Sequence, residues 1–451
     1  MSAPSARDLV TGSVYRHIVR LATPTAIEQA LLAITGLIHA FWMDRVGPYA
    51  LSAVVMGTAM RIVLISPMMG LSAGGMAVVA HEIGARNRLA ADRACTQTLT
   101  LVMLMALPLM AIGQAFAPVF LRWMGATGEI HANATQYVRI ILWGLFFMEC
   151  LPTMNGVIRG AGRPEFTLRI TIVSRVVFFA LEPILAFGLG PVPVLGVRGV
   201  ALAEVVANAV GVGAQLVVLL SKDGCLTLRL SDLAPDWAMM RRVIRIALPN
   251  SAQRLSPNLA NALFLRLVAS LGLTVLAAYS VFTQIQTLVQ GIVAGPQSAA
   301  ATMVGQNLGG GQPERAVRSA WFGAALGAAL PLCLYAIINL ASGLLLPMLN
   351  RDPQVVVAAR QVLTFALAFG SLNGLWLVLG NALAGAGDAG VPSLISIVSL
   401  WAVQLPVCSL LAHRAGLGPT GVWLGMILGN LVCAAGMAYR LRSGRWQEIR
   451  V

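Results

Sequence analysis

The segment Leu21-Ala22-Thr23-Pro24 returns 225 residues later as Ile246-Ala247-Leu248-Pro249. The same spacing joins Gly160-Ala161-Gly162 to Gly385-Ala386-Gly387. A constant spacing between such distant anchors indicates two copies of one unit placed in tandem. In a hydrophobic chain, this pattern predicts a transporter built from two halves.

The composition places the chain in a membrane. Of its 451 residues, 58% are hydrophobic and only 11% are charged, whereas soluble domains carry about a quarter charged residues. Apolar runs long enough to cross roughly 30 Å of hydrocarbon recur along the chain. Helices are expected for these runs, because backbone amides in lipid must be paired within their own segment. Twelve spans are predicted, at 20–43, 51–80, 94–121, 134–157, 166–190, 197–220, 243–270, 275–305, 317–346, 356–382, 391–412 and 419–440.

The predicted fold is therefore an all-α integral membrane protein with twelve transmembrane helices in two six-helix bundles related by pseudo-two-fold symmetry. Residues 1–220 form the N-terminal lobe with helices 1–6, and residues 241–451 form the C-terminal lobe with helices 7–12. Residues 221–240, the longest polar stretch, are expected to be a cytoplasmic linker. Six spans in each lobe give both copies the same orientation, so their axis should run along the membrane normal.

The net charge of +14 does not indicate a nucleic-acid partner. Basic residues are spread over the N-terminal tail and over alternate connections, except the 10–11 connection, which has no Arg; Arg16, Arg86, Arg159, Arg241 and Arg318 illustrate this. The positive-inside rule then places both termini in the cytoplasm of a multi-pass protein of the bacterial cytoplasmic (inner) membrane. We expect membrane lipid around it and no obligate protein partner.

Several other classes of site are excluded by spacing. The six cysteines show no metal or redox spacing. The run Gly305-Gln306-Asn307-Leu308-Gly309-Gly310-Gly311 lacks the Gly-Lys-Ser/Thr of a phosphate loop and is better explained as a helix C-terminus. The first 19 residues have no apolar core typical of a signal peptide. No enzyme cofactor, metal site or catalytic nucleophile is predicted.

The ordered motifs identify a family resemblance over nearly the whole chain. They include Leu21-Ala22-Thr23-Pro24, Asn155-Gly156-Val157-Ile158-Arg159-Gly160, Leu181-Glu182-Pro183, Val304-Gly305-Gln306-Asn307 and Pro313-Glu314-Arg315. In this order and spacing they resemble the MATE (multidrug and toxic compound extrusion) family. The resemblance implies two six-helix bundles around a central cleft. It also implies efflux of organic compounds, often cationic, driven by inward protons or sodium.

Carboxyl groups inside the predicted spans belong to the first lobe alone. Ionisable groups at mid-membrane cost about 2.5–3.5 kcal/mol, so they are functional candidates by default. We expect ion coupling at Glu182, Glu204, Glu28 and His39. The spacing of 225 makes Gln253 the counterpart of Glu28 in the second lobe, and Phe264 that of His39. Near the ends of the copies the spacing becomes 222, which makes Gln404 the counterpart of Glu182 and Met426 that of Glu204.

Helical spacing groups these candidates. Glu28 and His39 lie about three turns apart on one face of span 1. Arg175, Phe178 and Glu182 share a face of span 5. We expect these faces, with that of Glu204 and Asn208, to converge on one polar cavity. Candidate substrate-binding residues are Arg61, Arg175, Phe178, Asn208, Arg266 and Gln284, and candidate hinges are Pro24 and Pro249.

Each candidate has a structural alternative. Glu182 could be a static partner of Arg175 or Arg61, and the Arg residues could neutralise acids or attract an anionic cargo. His39 could be a hydrogen-bonded packing residue, and the two prolines could mark fixed kinks.

The chain departs from the family pattern at the expected ion site. His39 stands where the family usually has Asp, Phe178 replaces an Asn, Glu182 replaces an Asp and Glu204 replaces a small or hydroxyl residue. The acids that another branch of the family carries in spans 7 and 10 are missing. Sodium prefers several oxygen ligands, which these changes remove, whereas a proton needs only a titratable carboxyl or imidazole group.

The sequence therefore predicts a proton-coupled antiporter that exports organic compounds or drugs by alternating access. The alternatives are a sodium-coupled exporter, or an exporter of an endogenous peptide-like, lipid-linked or natural product. A non-transporting receptor or a membrane enzyme is the remaining alternative.

Overall fold

The computed structural model describes residues 9–47, 49–189, 193–220 and 226–449, apart from the side chains of residues 37 and 230. All regular structure in these ranges is helical. The helices are α1 Val14–Val46, α2 Ala50–Ile65, α3 Leu71–Gly84, α4 Arg88–Trp123, α5 Gly128–Trp143, α6 Leu145–Gly160, α7 Pro164–Phe187, α8 Val197–Leu220, α9 Trp237–Ala269, α10 Leu273–Gly309, α11 Pro313–Leu340, α12 Ser342–Leu349, α13 Pro353–Gly385, α14 Gly390–Val398, α15 Leu405–Ser409 and α16 Gly418–Arg442. Two π-helices, Ser399–Gln404 and Leu410–Arg414, continue α14 and α15.

Joined at their bends, the described helices form twelve long segments, as the apolar runs predict. Helices α2 and α3 form one segment, α5 and α6 form another with a 58° bend, and α14 with α15 forms a third. In the described part of the chain, nine helices are long and apolar enough to cross a membrane, and ten if the bent pair is one span. The two long segments outside this set are α9 and α10. Arginine and amide side chains lower the hydropathy of α9, and amide side chains lower that of α10.

Large apolar side chains cover the outer faces of these helices. Exposed examples are Leu107, Phe116, Val217, Ile337 and Leu394. Exposed apolar surface on this scale is typical of a protein that is solvated by lipid. The helical fold and the exposed apolar faces confirm the predicted fold class.

The described residues separate into two compact units. Within the described ranges, the first unit comprises residues 30–83 and 87–251, and the second comprises residues 9–29, 84–86 and 252–449. These units differ from the two lobes predicted by counting spans. The first part of α1 belongs to the second unit, and the first part of α9 belongs to the first unit. Each of these helices has 33 residues and is about 50 Å long, so its two halves can be buried in different sets of helices.

Equivalent glycines allow equivalent helices to touch within each unit. A Cβ atom at Gly160 would stand 2.5 Å from the carbonyl oxygen of Met76, and one at Gly385 would stand 2.3 Å from that of Ala301. The spacing of 225 relates both glycines and both carbonyl partners. The repeat is therefore present in helix packing as well as in sequence.

The polar stretch before α9 is attached to α4 in the first unit. The Gln97 amide donates hydrogen bonds to the carbonyl oxygens of Asp232 and Ala234 and accepts one from the Asp236 amide. Asp92 accepts a hydrogen bond from the Thr227 amide at 2.9 Å. The described part of the predicted linker thus has a fixed place on the first unit; residues 221–225 lie outside the described residues.

Candidate coupling and binding sites

The shortest contact in the candidate coupling site joins α1 to α7 within the first unit. His39 Nδ1 lies 2.6 Å from Glu182 Oε1. Glu182 is 0% exposed, and its other carboxyl oxygen, Oε2, has no hydrogen-bond partner among the described residues. Burial of a carboxyl oxygen without a hydrogen-bond partner is costly, so the contact with His39 leaves Glu182 with one unsatisfied polar atom.

A second set of polar side chains begins at Arg175, about two turns before Glu182 on α7. Arg175 is buried, and its Nη2 atom donates to Ser174 Oγ at 2.9 Å and to Asn208 Oδ1 at 3.4 Å. The guanidinium carbon is 5.5 Å from the centre of the Phe178 ring, which in turn lies 6.1 Å from the His39 ring. Phe178 therefore separates the arginine from the His39–Glu182 pair.

Glu204 extends this group on α8. Its Oε2 accepts a hydrogen bond from the Tyr137 hydroxyl at 3.1 Å, and its backbone carbonyl accepts one from Asn208 Nδ2 at 2.7 Å. Sequence reasoning missed Tyr137, because a tyrosine inside an apolar run has no spacing that marks it. A series of contacts runs from His39 through Phe178 and Arg175 to Asn208 and Glu204.

The structure assigns partners that the sequence left open. Glu182 contacts His39 and not the arginines considered as its static partners. Arg61 lies 3.7 Å from Glu149, a buried acid in the second turn of α6. Both pairs join helices distant in sequence, so helical spacing could not identify them.

Five predicted site residues lie apart from this group. Glu28 is 3% exposed but belongs to the second unit, since it precedes the division of α1. Arg266 and Gln284 are exposed on α9 and α10. The half-buried hinge candidate Pro24 lies inside the continuous helix α1.

Pro249, the other hinge candidate, is also half-buried within a continuous helix, α9. In the described part of the chain, no cluster of three or more His, Cys, Asp or Glu side chains is arranged to hold a metal ion.

The second unit contains a cavity of about 290 Å³ between α9, α10, α13, α16 and the first π-helix. Its lining contains all four repeat counterparts of the predicted coupling residues, Gln253, Phe264, Gln404 and Met426. Among the described residues, no Asp, Glu, Lys, Arg or His side chain lines it. The sequence analysis did not predict this cavity, although the amide residues along α9 and α10 were a usable signal.

Comparison with known proteins agrees with this fold and repeat. The family model MatE matches residues 24–184 and again residues 249–410. The two matches begin at the prolines that the spacing of 225 relates.

Relatives match the chain over almost its full length. A probable multidrug resistance protein NorM from Deinococcus radiodurans is 28% identical, with 99% of this chain and 100% of the relative covered. Another probable multidrug resistance protein NorM, from Thermotoga maritima, is 23% identical over 96% of this chain and 94% of the relative. A solved outward-facing conformation of a multidrug resistance MATE family transporter superposes with a TM-score of 0.90, at 22% identity over 99% of this chain and 100% of that chain. The family model covers more than half of the sequence in two repeat-related copies, and the chain therefore belongs to the MatE family of multi-pass membrane transporters.

Proposed function

We propose that this transporter exports organic compounds across the bacterial cytoplasmic membrane in exchange for protons, with both termini in the cytoplasm. The observation that carries the proposal is the buried Glu182 carboxyl group, which has one oxygen on His39 and the other without a partner. The names of the relatives support a multidrug cargo.

Protonation at Glu182 would act through the contact between α1 and α7. A carboxylate beside an imidazolium forms a neutral pair, whereas a proton on Oε2 removes the negative charge that holds the ring. Loss of this attraction frees α1 to move against α7. The proton thus changes the balance between conformations by the difference in its affinity for them.

Arg175, Asn208 and Glu204 supply the polar surface next to this switch. Glu204 can hold a cationic group of the cargo or a second proton, and its negative charge acts on Arg175. Phe178 offers an aromatic face between the two groups. Competition between cargo and proton for this surface would couple their opposite movements.

A proton suits the site better than sodium. One Glu182 oxygen already contacts the imidazole nitrogen Nδ1 of His39, and the Phe178 side chain has no oxygen. Sodium would need several oxygen ligands in their place, whereas a proton needs only the unpartnered carboxyl oxygen.

The test uses purified full-length protein in liposomes that contain a pH-sensitive dye. Addition of ethidium, followed by a panel of further organic cations, should dissipate a preset pH gradient. Glu182→Gln should abolish this coupled proton movement, because the amide cannot take up a proton. Glu314→Gln is the matched control, since Glu314 is 90% exposed on α11.

Two results would contradict the proposal. One is unchanged coupled proton movement in Glu182→Gln. The other is cargo movement driven by a sodium gradient when no pH gradient is present, which would establish sodium coupling.

A further inference from the structure

The cavity of the second unit has the chemistry of a binding site for an uncharged molecule. At about 290 Å³ it is close to the lower end of the range for small-molecule sites, roughly 300–1,000 Å³. Because no Asp, Glu, Lys, Arg or His in the described ranges lines it, a charged ligand would lose its hydration without a compensating partner.

Unused amide groups supply the hydrogen bonds of such a site. The side chains of Gln253, Gln286, Gln290 and Gln404 line the cavity and make no hydrogen bonds to other described residues. Each offers two donors and an acceptor, so together they match a ligand that both donates and accepts.

Aromatic side chains give the same cavity flat walls. Trp376 is fixed by a hydrogen bond from its indole nitrogen to Asn430 Oδ1 at 2.7 Å, and Asn373 donates to the same oxygen at 3.2 Å. Phe264 and Tyr279 add further rings, with their centres 5.2 Å apart. Rings of this kind favour stacking against a flat ligand.

The π-helix Ser399–Gln404 forms another part of the wall. It contributes Ser399 and Gln404 to the lining. Short π-helical stretches inside α-helices are frequent at functional sites. The irregular turn thus places the repeat counterpart of Glu182 at the edge of the cavity.

We propose that this cavity binds an uncharged, flat ring compound that carries both hydrogen-bond donors and acceptors, of the cyclic imide or cyclic amide class. The inference rests on the proposed export function, because it names a class of cargo for it. It also adds a site for neutral cargo in the second unit to the groups proposed for protons and cationic cargo in the first.

The experiment measures equilibrium binding of lumiflavin, an uncharged three-ring imide, to the full-length protein in detergent by fluorescence anisotropy. Proflavine, also a three-ring compound, is the matched probe that carries a positive charge. We expect saturable lumiflavin binding that weakens about fivefold in Gln404→Leu, which removes hydrogen bonds, and at least tenfold in Gln404→Glu. Proflavine should bind more weakly than lumiflavin to the unaltered cavity and gain affinity in Gln404→Glu.

Further variants separate the site from detergent partition and from loss of folding. Gln286→Leu serves where a Gln404 variant lowers the unfolding temperature, and should also weaken lumiflavin binding several-fold. Glu314→Gln, on the exposed surface of α11, should leave lumiflavin affinity unchanged. Two results would overturn the inference. One is the absence of saturable lumiflavin binding. The other is that the Gln404→Leu and Gln286→Leu variants bind lumiflavin as tightly as the unaltered protein does.

The binding assay involves no gradient, so its outcome is distinct from that of the flux assay. Coupled proton flux without lumiflavin binding would refute only this inference. Lumiflavin binding in the cavity without any cargo-driven proton flux would refute the export proposal, and the cavity would then be a ligand site with no role in proton-coupled export.

Discussion

In the first unit, Glu182 holds His39 at 2.6 Å and is closed off from solvent. In the second unit, the repeat counterparts Gln404 and Phe264 line a cavity whose amide groups cannot change charge. Both centres retain an equivalent asparagine, Asn208 in one and Asn430 in the other. The difference shows how a duplicated fold can keep its helix packing while its two halves take up different chemistry.

The largest loss of stability is expected when the first unit receives the residues that the second unit has at the equivalent positions. His39→Phe should destabilise the protein by about 3–5 kcal/mol, because it leaves a buried carboxyl group without its partner. Adding Glu182→Gln should recover most of that loss, since the amide carries no charge. Thermal unfolding in detergent measures both, and equal unfolding temperatures for the single and double variants would contradict the pairing.

Helix packing tests whether the two units are still equivalent outside their polar centres. Gly160→Val and Gly385→Val should each cost about 3 kcal/mol or more, because the new side chain meets the backbone of the neighbouring helix. Gly213→Val is the control, since a Cβ there meets nothing within 4 Å. Tolerance of the change at one glycine but not at its counterpart would show that the packing is not shared.

The reverse exchange gives the second unit an acid. Gln404→Glu should destabilise the protein by about 1–3 kcal/mol, because the half-buried carboxyl group finds no basic partner in the cavity lining. Phe264→His in the same chain should restore part of this loss by offering an imidazole. The unfolding temperatures of the single and double variants measure the recovery; a double variant less stable than either single one would argue against equivalent geometry.

The smallest effect is expected at the edge of the first site. Tyr137→Phe removes the hydrogen bond to Glu204 and should cost about 1 kcal/mol. Its effect should largely disappear when Glu204→Leu is already present, because leucine cannot accept the hydrogen bond and the two changes act on one contact. Tyr439→Phe on the exposed face of α16 is the control and should leave stability unchanged. Fully additive losses would place Tyr137 outside the site.

The helix number and the repeat could be predicted because apolar runs and recurring motifs are local properties of the sequence. Spacing along α7 likewise placed Arg175, Phe178 and Glu182 on one face. The pairing of Glu182 with His39 could not be predicted in this way, because it depends on the contact of α1 with α7 across 143 residues. For the same reason Tyr137 was missed and the partner of Arg61 was left open.

The amide cavity was missed for a different reason. Sequence reasoning searched for groups whose burial is costly, and uncharged amides such as Gln253 and Gln404 do not stand out by that standard. Their positions as counterparts of Glu28 and Glu182 were visible, but only the fold shows that they face a common space. Glu28, expected beside His39, is grouped with the second unit because α1 is divided between the units.

The central claim is tested most directly by counting protons moved per ethidium molecule transported in liposomes. We predict that the His39→Phe/Glu182→Gln variant moves no protons with the dye, whereas Gln404→Leu keeps the proton count of the unaltered protein. An unchanged proton count in the first variant, or its loss in the second, would contradict the assignment of coupling to the first unit.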